Sequence, residues 1–537
     1  MSEPVESESE MVSEARSASE AAGAPWQPWS QRMEELERIN ARLRATSASK
    51  QELVSAPAVE KSLEVQLRYA RAMLLAQLGR KEEALAEHLN VVRLEQTHQH
   101  NLNALGLLMA ANGHRKAALL SLAEAVKHHP QSVTSRVNLG SVLLAGRDAE
   151  SAAAARQQFE AALRVDPGMP QAHAGMFYAL TRLGEIEEAR FHQRMGFERQ
   201  STFTNPYHGK LPPTPVLLLV SSAGGNTPIE RLIDDTLFET HLVVTDFYDP
   251  SQPLPEHRLV INGIGDVDVS RPALAAAERL LAHSSAPVVN SPQAVLKTSR
   301  MENALRLRSL SGLVVPQTQS FGYAELAVPG GGEALRRGGF RFPVLLRAPG
   351  FHMGEFFVRV DGAEGLVEAL RELPGVGRDG AELLAIEYLD ARGADGFFRK
   401  YRVMMVDGEL YPLHLAVSSQ WKVHYFSSDM ADRPDHRQEE ERFLTDMPGV
   451  LGSGAIESLR RLQKMLGLDY GGVDFGLSAK GEILLFEANA TMVAQHPDEG
   501  QIWAYRRSAV DHIHAAVRKM FQRRAEVSDG RCWASAG

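Results

Sequence analysis

Tyr470 to Val493 reads YGGVDFGLSAKGEILLFEANATMV. The stretch predicts two strands, with AKGE turning one back on the other. Residues two apart in a strand share a face, so Glu487 and Asn489 point one way while Phe486 and Ala488 point into the core. Asp474 sits on the partner strand across the turn. Two carboxylates and one amide oxygen converging beside glycines make a hard-oxygen site that suits magnesium, which leaves positions to water and to nucleotide phosphates. Asp and Asn also end strands by bonding backbone amides, so from these three residues alone both readings stand.

The totals narrow the choice. A chain of 537 residues is too long for one core and predicts about two or three domains. It is 44% hydrophobic and 23% charged, with a net charge of -9 and no extended basic patch, which argues against a nucleic-acid partner. Its one cysteine, Cys532, falls in the tail SDGRCWASAG, so neither a disulfide framework nor a cysteine metal site is expected. The start MSEPVESESE is acidic where a secretory signal needs a basic and then an apolar run, and no stretch of about 18 apolar residues occurs. The expectation is a cytoplasmic protein with no membrane insertion. Residues 1–30 are Ser, Glu, Ala and Pro with few large apolar residues, and read as a disordered acidic leader; 526–537 read as a flexible tail.

Residues 31–204 predict an all-α region broken at a regular beat. Gly79 and Gly113 stand 34 residues apart, as do Ala84 and Ala118, and the second unit carries Leu105-Gly106, Ala125 and a closing Pro130. The third repeats Leu139-Gly140, Phe159, Ala162 and Pro167 with three extra residues, placed in AGRDAES. Gly184 and Ala189 mark a weaker fourth. This spacing resembles the tetratricopeptide repeat, in which small residues let paired helices approach closely and a proline ends the second helix. Such arrays present a concave surface to a peptide or protein and perform no chemistry.

After the turn-rich joint NPYHGKLPPTP the period changes to alternating strand and helix, predicting an α/β unit over 215–317. Within it AGGNTPIERLIDDTLF reads as a glycine turn entering a helix; Gly224-Gly225-Asn226-Thr227 could cradle a phosphate, but a GG turn more commonly just joins strand to helix. A mixed α+β pattern fills 318–525: FPVLLRAP and FFVRVDG flank the glycine loop GFHMGE, LLAIEYLD is a strand, and RKYRVMMVDGELYPLHLAV is two strands turned at Asp407-Gly408.

In the order of these motifs, about Pro215 to Phe521 resembles the ATP-grasp ligases, particularly the branch similar to glutathione synthetase and the ribosomal-protein glutamate ligases. The resemblance implies that Asp474, Glu487 and Asn489 hold magnesium against ATP. It implies that Glu387, Tyr388 and Leu389 contact adenine and that GFHMGE, with His352, closes over the phosphates. Arg402 would face the acyl phosphate. Where the family places lysines this chain has Arg347, before the glycine loop, and Arg300 as the nearest candidate in LKTSRMENALRL, with Lys297 second. Arginine holds phosphate as a two-pronged donor and is not geometrically equivalent to lysine. Against a degenerate relative, all three metal ligands are present, and clustered carboxylates repel unless a cation compensates them.

The implied reaction is ATP-dependent carboxylate–amine ligation, giving an amide or peptide bond through an acyl phosphate, with ATP and Mg2+ as cofactors. In YPLHLAVSSQWKVHYFSSDM, alternation puts His414, Ala416 and Ser418 on one face, and Lys422 and His424 repeat the two-residue step. That face suits a carboxylate substrate, or is the solvated side of an edge strand. The repeats would recruit a peptide, protein or carrier-bound substrate or mediate dimerisation. The alternative function is a nucleotide-sensing scaffold with protein-binding repeats.

Overall fold

The computed structural model describes residues 27–49, 57–146, 148–349, 356–373, 381–423, 428–497 and 501–527. The leader to residue 26, His352, His424 and the tail from residue 528 with Cys532 lie outside them. The chain forms two compact units, Met1–Pro215 with Asp235–Tyr248, and Val216–Asp234 with Asp249–Gly537.

The first unit opens with α1 (Trp29–Ser49), packed on α2 (Pro57–Gln77), whose hairpin partner is α3 (Lys81–Leu94). Three further hairpins follow: α4 (Gln99–Ala111) with α5 (Arg115–His128), α6 (Val133–Leu144) with α7 (Ala149–Val165), and α8 (Pro170–Leu183) with α9 (Ile186–Phe197). Gly79, Gly113 and Gly184 turn three of the hairpins with φ of 72°, 83° and 81°, a left-handed conformation that favours glycine. The longer third turn carries no such glycine among the described residues; Asp148 instead caps α7, accepting from the Ser151 amide at 2.7 Å. The small residues of the repeat mark close approach. A Cβ at Gly140 would lie 2.7 Å from the Phe159 ring, and one at Gly175 would meet the same ring. Phe159 is fully buried, which contributes about 1.5–3 kcal/mol.

The joint after the helices is docked rather than loose. Arg32 donates to the carbonyls of Gln77 at 2.7 Å and Gly209 at 2.8 Å, the Tyr207 hydroxyl donates to Leu211 O at 2.5 Å, and Lys210 lies over the Trp29 ring. Strand β1 (Thr202–Thr204) pairs antiparallel with β3 (Phe238–Val244), so residues downstream of β2 (Thr214–Val220) belong with the helical unit. The two units therefore do not divide at a single point near residue 204 or 215.

In the second unit β2, β4 (Leu259–Asn262) and β5 (Val288–Val289) run parallel, with α10 (Val267–Leu281) between the last two in sequence. The helix expected within AGGNTPIERLIDDTLF is only a 3-10 turn over Ile229–Leu232. Asn226 braces the end of β2, accepting from the Ser221 amide and donating to its carbonyl, and Pro228 follows; the segment serves as a cross-brace and has no room to build turns. Helix α11 (Arg300–Arg306) leads into two antiparallel-rich sheets. One has the order β7 (Thr318–Gly322), β10 (Glu382–Glu387), β8 (Val344–Arg347), β9 (Phe357–Val360). The other has the order β12 (Glu409–Ser418), β11 (Phe398–Val406), β13 (Tyr470–Leu477), β14 (Ile483–Asn489), β6 (Leu313–Val314). Helices α12 (Pro434–Thr445), α13 (Ser453–Leu466) and α14 (Arg507–Val527) complete the unit. Residues 216–234 and 249–317 thus share one compact unit with 318–525.

β12 stands at the edge of its sheet, as expected, but the face carrying Ala416 and Ser418 is not solvated. Ala416 and Ser418 are as buried as Leu415 and Val417, and buried Glu440 of α12 accepts from the Leu415 amide at 3.2 Å.

Candidate functional site

The hairpin that opened the sequence reading forms as expected, with one change of register. Asp474 pairs directly with Glu487, and Gly472 with Asn489, but Phe475 pairs with Leu485. The skipped residue, Phe486, is a bulge and is half-buried, whereas Ala488 is 2% exposed. A bulge re-aims the strand next to a site, and here it sits beside Glu487.

Two clusters meet at the Asp474–Glu487 pair. Beneath the hairpin, Arg402 donates to both Asp474 oxygens at 2.5 and 2.7 Å, and Lys400 Nζ lies 3.3 Å from Asp474. Burial opposes the Asp474 charge, but the Arg402 and Lys400 cations hold the carboxyl well below the usual carboxylate range. His414 is opposite Arg402 on β12. Burial first, and the Arg402 charge second, push its imidazole well below its ordinary pKa, so it is neutral.

Above it, Arg300 Nη2 lies 2.5 Å from Glu487 Oε1, which also accepts from Asn489 Nδ2 at 2.9 Å. Asn489 Oδ1 accepts from the Thr491 amide and hydroxyl. Burial again works against the Glu487 charge, while Arg300 and Arg347 lower its pKa. Arg347, the last residue of β8, is pushed down to about 10 by burial and by Arg300.

Two cavities adjoin at Arg300, Glu487 and Asn489. The first is walled mainly by apolar groups, among them Val315, Pro316, Ile386, Leu485 and Phe486. The second is polar and charged, lined by Asp266, Asp268, Arg347 and Thr491 as well as the shared residues. The arrangement offers an apolar slot, a charged junction and a polar chamber in sequence.

The structure brings Arg300, Arg347, Glu487 and Asn489 to the cavities and places Asp474, Arg402 and His414 directly beneath. Other expected residues stand apart. Glu387 ends β10 and its carboxylate accepts from the Gln317 amide at 3.0 Å. Tyr388 lies under the Arg359 guanidinium, 4.5 Å from its ring centroid, and edge-on to Trp421; Leu389 follows it, half-buried. Their neighbour Ile386 is the β10 residue that lines the apolar cavity. Lys422 donates to Phe357 O at 3.1 Å. Lys297 caps a short helix, and its carbonyl accepts from Arg306.

Sequence reasoning missed Lys400, Asp266 and Asp268. Lys400 was legible by the two-residue step from Arg402 in RKYR. The two aspartates stand in NGIGDVD, a glycine turn after a strand and so a place where side chains gather at a sheet end.

The donor set is chemically suited to a hard dication: two carboxylates on adjacent strands with an amide oxygen alongside. Among the described residues no three His, Cys, Asp or Glu side chains form a closed metal cage, so water and phosphate oxygens would complete the shell. No described helix is long and apolar enough to cross a membrane.

No protein-family model matches the chain, and no curated protein matches it. Among solved structures the N-terminal part is similar to YrrB, a tetratricopeptide-repeat protein with an unusual peptide-binding site, at 16% identity over 31% of this chain and 81% of that one, with a TM-score of 0.25. The rest is similar to D-alanyl-alanine synthetase A from Vibrio cholerae, at 12% identity over 60% of this chain and 100% of that one, with a TM-score of 0.39. It is also similar to the D-alanine-D-alanine ligase from Coxiella burnetii, at 12% identity over 60% and 98% of the two chains, with a TM-score of 0.36. A repeat array followed by an ATP-grasp fold is the combination that the sequence resembles.

Proposed function

We propose that the protein is an ATP-dependent carboxylate–amine ligase, working in the cytoplasm, that activates a carboxylate as an acyl phosphate and passes it to an amine. The observation that carries this reading is the junction at Arg300, Glu487 and Asn489, with an apolar cavity on one side and a charged one on the other. Adenine fits the apolar side next to Ile386, and the ATP phosphates fit against Arg300 and Arg347, which bind phosphate as bidentate donors. Glu487 and Asn489, which line both cavities, are the residues that would hold magnesium, with Asp474 behind them on Arg402; the metal would neutralise charge on the transferring phosphoryl group. Glu487 Oε1 is engaged by Arg300, so Arg300 moves from the carboxylate to phosphate oxygens as the site fills. Arg402 lies beneath and orients Asp474, with His414 opposite Arg402 on β12. Glu387, Tyr388 and Leu389, next in the chain to Ile386, would stand at the nucleotide edge, and Lys422 on the substrate side. The repeats recruit a peptide, protein or carrier-bound substrate.

A second reading, a scaffold that senses nucleotide without turnover, is favoured by the pairing of both carboxylates with arginines. Release of ADP and phosphate from ATP separates the two. The ligase reading expects release that rises on adding a pool of carboxylates and amines, and release independent of any addition, or none, contradicts it.

A further inference from the structure

Asn303 follows Arg300 by three residues on α11, so the two share a face of the helix, and both line the apolar cavity. Its amide is held in one orientation. Nδ2 donates to Thr298 O at 3.1 Å and to Ala488 O at 2.7 Å, which ties α11 to the end of β14. A flipped amide would set its oxygen against two carbonyl oxygens, so Oδ1 is the atom left over. Asn303 is 6% exposed, and Oδ1 is buried with no hydrogen-bond partner among the described residues. A buried acceptor in that state costs stability unless something donates to it. The two threonine hydroxyls of the cavity are of the same kind. Thr298 gives its proton to Val295 O at 2.7 Å and Thr318 to Pro316 O at 3.4 Å, so what each has left to offer is an acceptor.

We propose that Asn303 selects the base of the nucleotide: its Oδ1 accepts from the 6-amino group of adenine and rejects a 6-oxo purine. The proposal rests on the reading that this cavity takes the base of ATP. Adenine carries an N–H2 donor at the 6-position, where guanine carries a carbonyl oxygen. With the amine there, Oδ1 gains its missing partner. With an oxygen there, two acceptors face each other in an apolar setting with no water to satisfy them. A site whose buried polar atom is completed only by the right ligand discriminates more strongly than an apolar pocket does. Asn303 stands outside Glu387 to Leu389, the segment that the resemblance implies for adenine, so base selection comes from the helix that also carries Arg300.

Calorimetry on the full chain with magnesium compares ATP with purine riboside triphosphate, which lacks the 6-amino group, and with inosine triphosphate, which has oxygen in its place. ATP should bind about tenfold or more tighter than purine riboside triphosphate, and inosine triphosphate should be weaker still. In Asn303→Leu, which keeps the size and loses the acceptor, ATP should fall to the level of purine riboside triphosphate, itself changed by less than about threefold. Equal affinity of the wild type for ATP and purine riboside triphosphate, or discrimination that survives in Asn303→Leu, overturns the proposal. Because that substitution also removes the two Nδ2 bonds, a crystal structure of the wild-type chain with ATP and magnesium gives an independent reading: adenine N6 within about 3.2 Å of Asn303 Oδ1 supports the assignment, and N6 bonded to another acceptor instead overturns it. Binding of none of the three nucleotides contradicts the ligase reading and this assignment together, whereas binding without regard to the 6-position leaves the ligase reading standing and removes this assignment alone.

Discussion

Arg300 and Glu487 form an ion pair at 2.5 Å at the point where the two cavities meet. Its counterpart below is Arg402 on Asp474. Each hairpin carboxylate thus has its own guanidinium, which resolves the repulsion between two acids paired across adjacent strands. The two pairs differ in exposure: the Glu487 side chain is 28% exposed and that of Asp474 only 5%. Glu487 is open to ligand exchange, and Asp474 is part of the core beneath it.

That difference separates two substitutions. Glu487→Gln keeps volume and hydrogen bonding and removes one charge at the open pair. Turnover should fall by about 100-fold or more, the scale of losing one transition-state electrostatic contact, with the melting temperature nearly unchanged. Normal turnover at saturating magnesium contradicts the metal assignment.

Asp474→Ala strips the partner from Arg402 and Lys400 in a buried setting. Breaking one side of a buried ion pair costs about 3–5 kcal/mol, so urea unfolding should show a large loss of stability. A midpoint within error of the wild type would mean that the Arg402 contact contributes little.

Arg347→Ala should weaken ATP binding by about 1.5–3 kcal/mol, the range for a hydrogen bond to a charged group. Calorimetry that finds equal affinity removes Arg347 from the phosphates.

In the helical unit, His173 Nδ1 and His192 Nδ1 lie 2.8 Å apart, and His173 Nε2 bonds Pro167 O. With Nε2 donating to that carbonyl, His173 Nδ1 accepts from His192. Burial, then the adjacent His173 ring, pushes His192 down to about 4 from 6.5. The folded pKa is below the unfolded one, so this contribution is complete above pH of about 6.5 and is lost as pH falls toward about 4. Wild-type Tm should drop across that window more steeply than that of His192→Gln; equal slopes contradict the prediction.

A fragment beginning at residue 205 loses β1 and leaves the β3 edge unpaired. It should self-associate, as exposed strand edges do, and light scattering after size exclusion will show it. A monodisperse fragment would mean that β1 is dispensable.

Much of this was legible in the chain because local rules governed it. The beat of Gly79 and Gly113 fixed hairpin turns, and alternation placed Glu487 and Asn489 on one face. Alternation failed where a bulge intervened: Phe486 on β14, and the shift between Arg402 and Val403 that changes the β12 register. Bulges carry no reliable side-chain signature. Residues 235–248 joined the helical unit through strand pairing across a long loop, which periodicity cannot register. Asp266 and Asp268 reached the site by the same kind of long-range packing, through Gly225, Thr227 and the end of β14.

The most direct test of ligation is to incubate the full chain with ATP, magnesium and pooled cell extract and to search for new products by mass. The account predicts a species equal to two extract components less one water, formed only with ATP and absent with Glu487→Gln. ATP binding measured by calorimetry with no such species formed would contradict it.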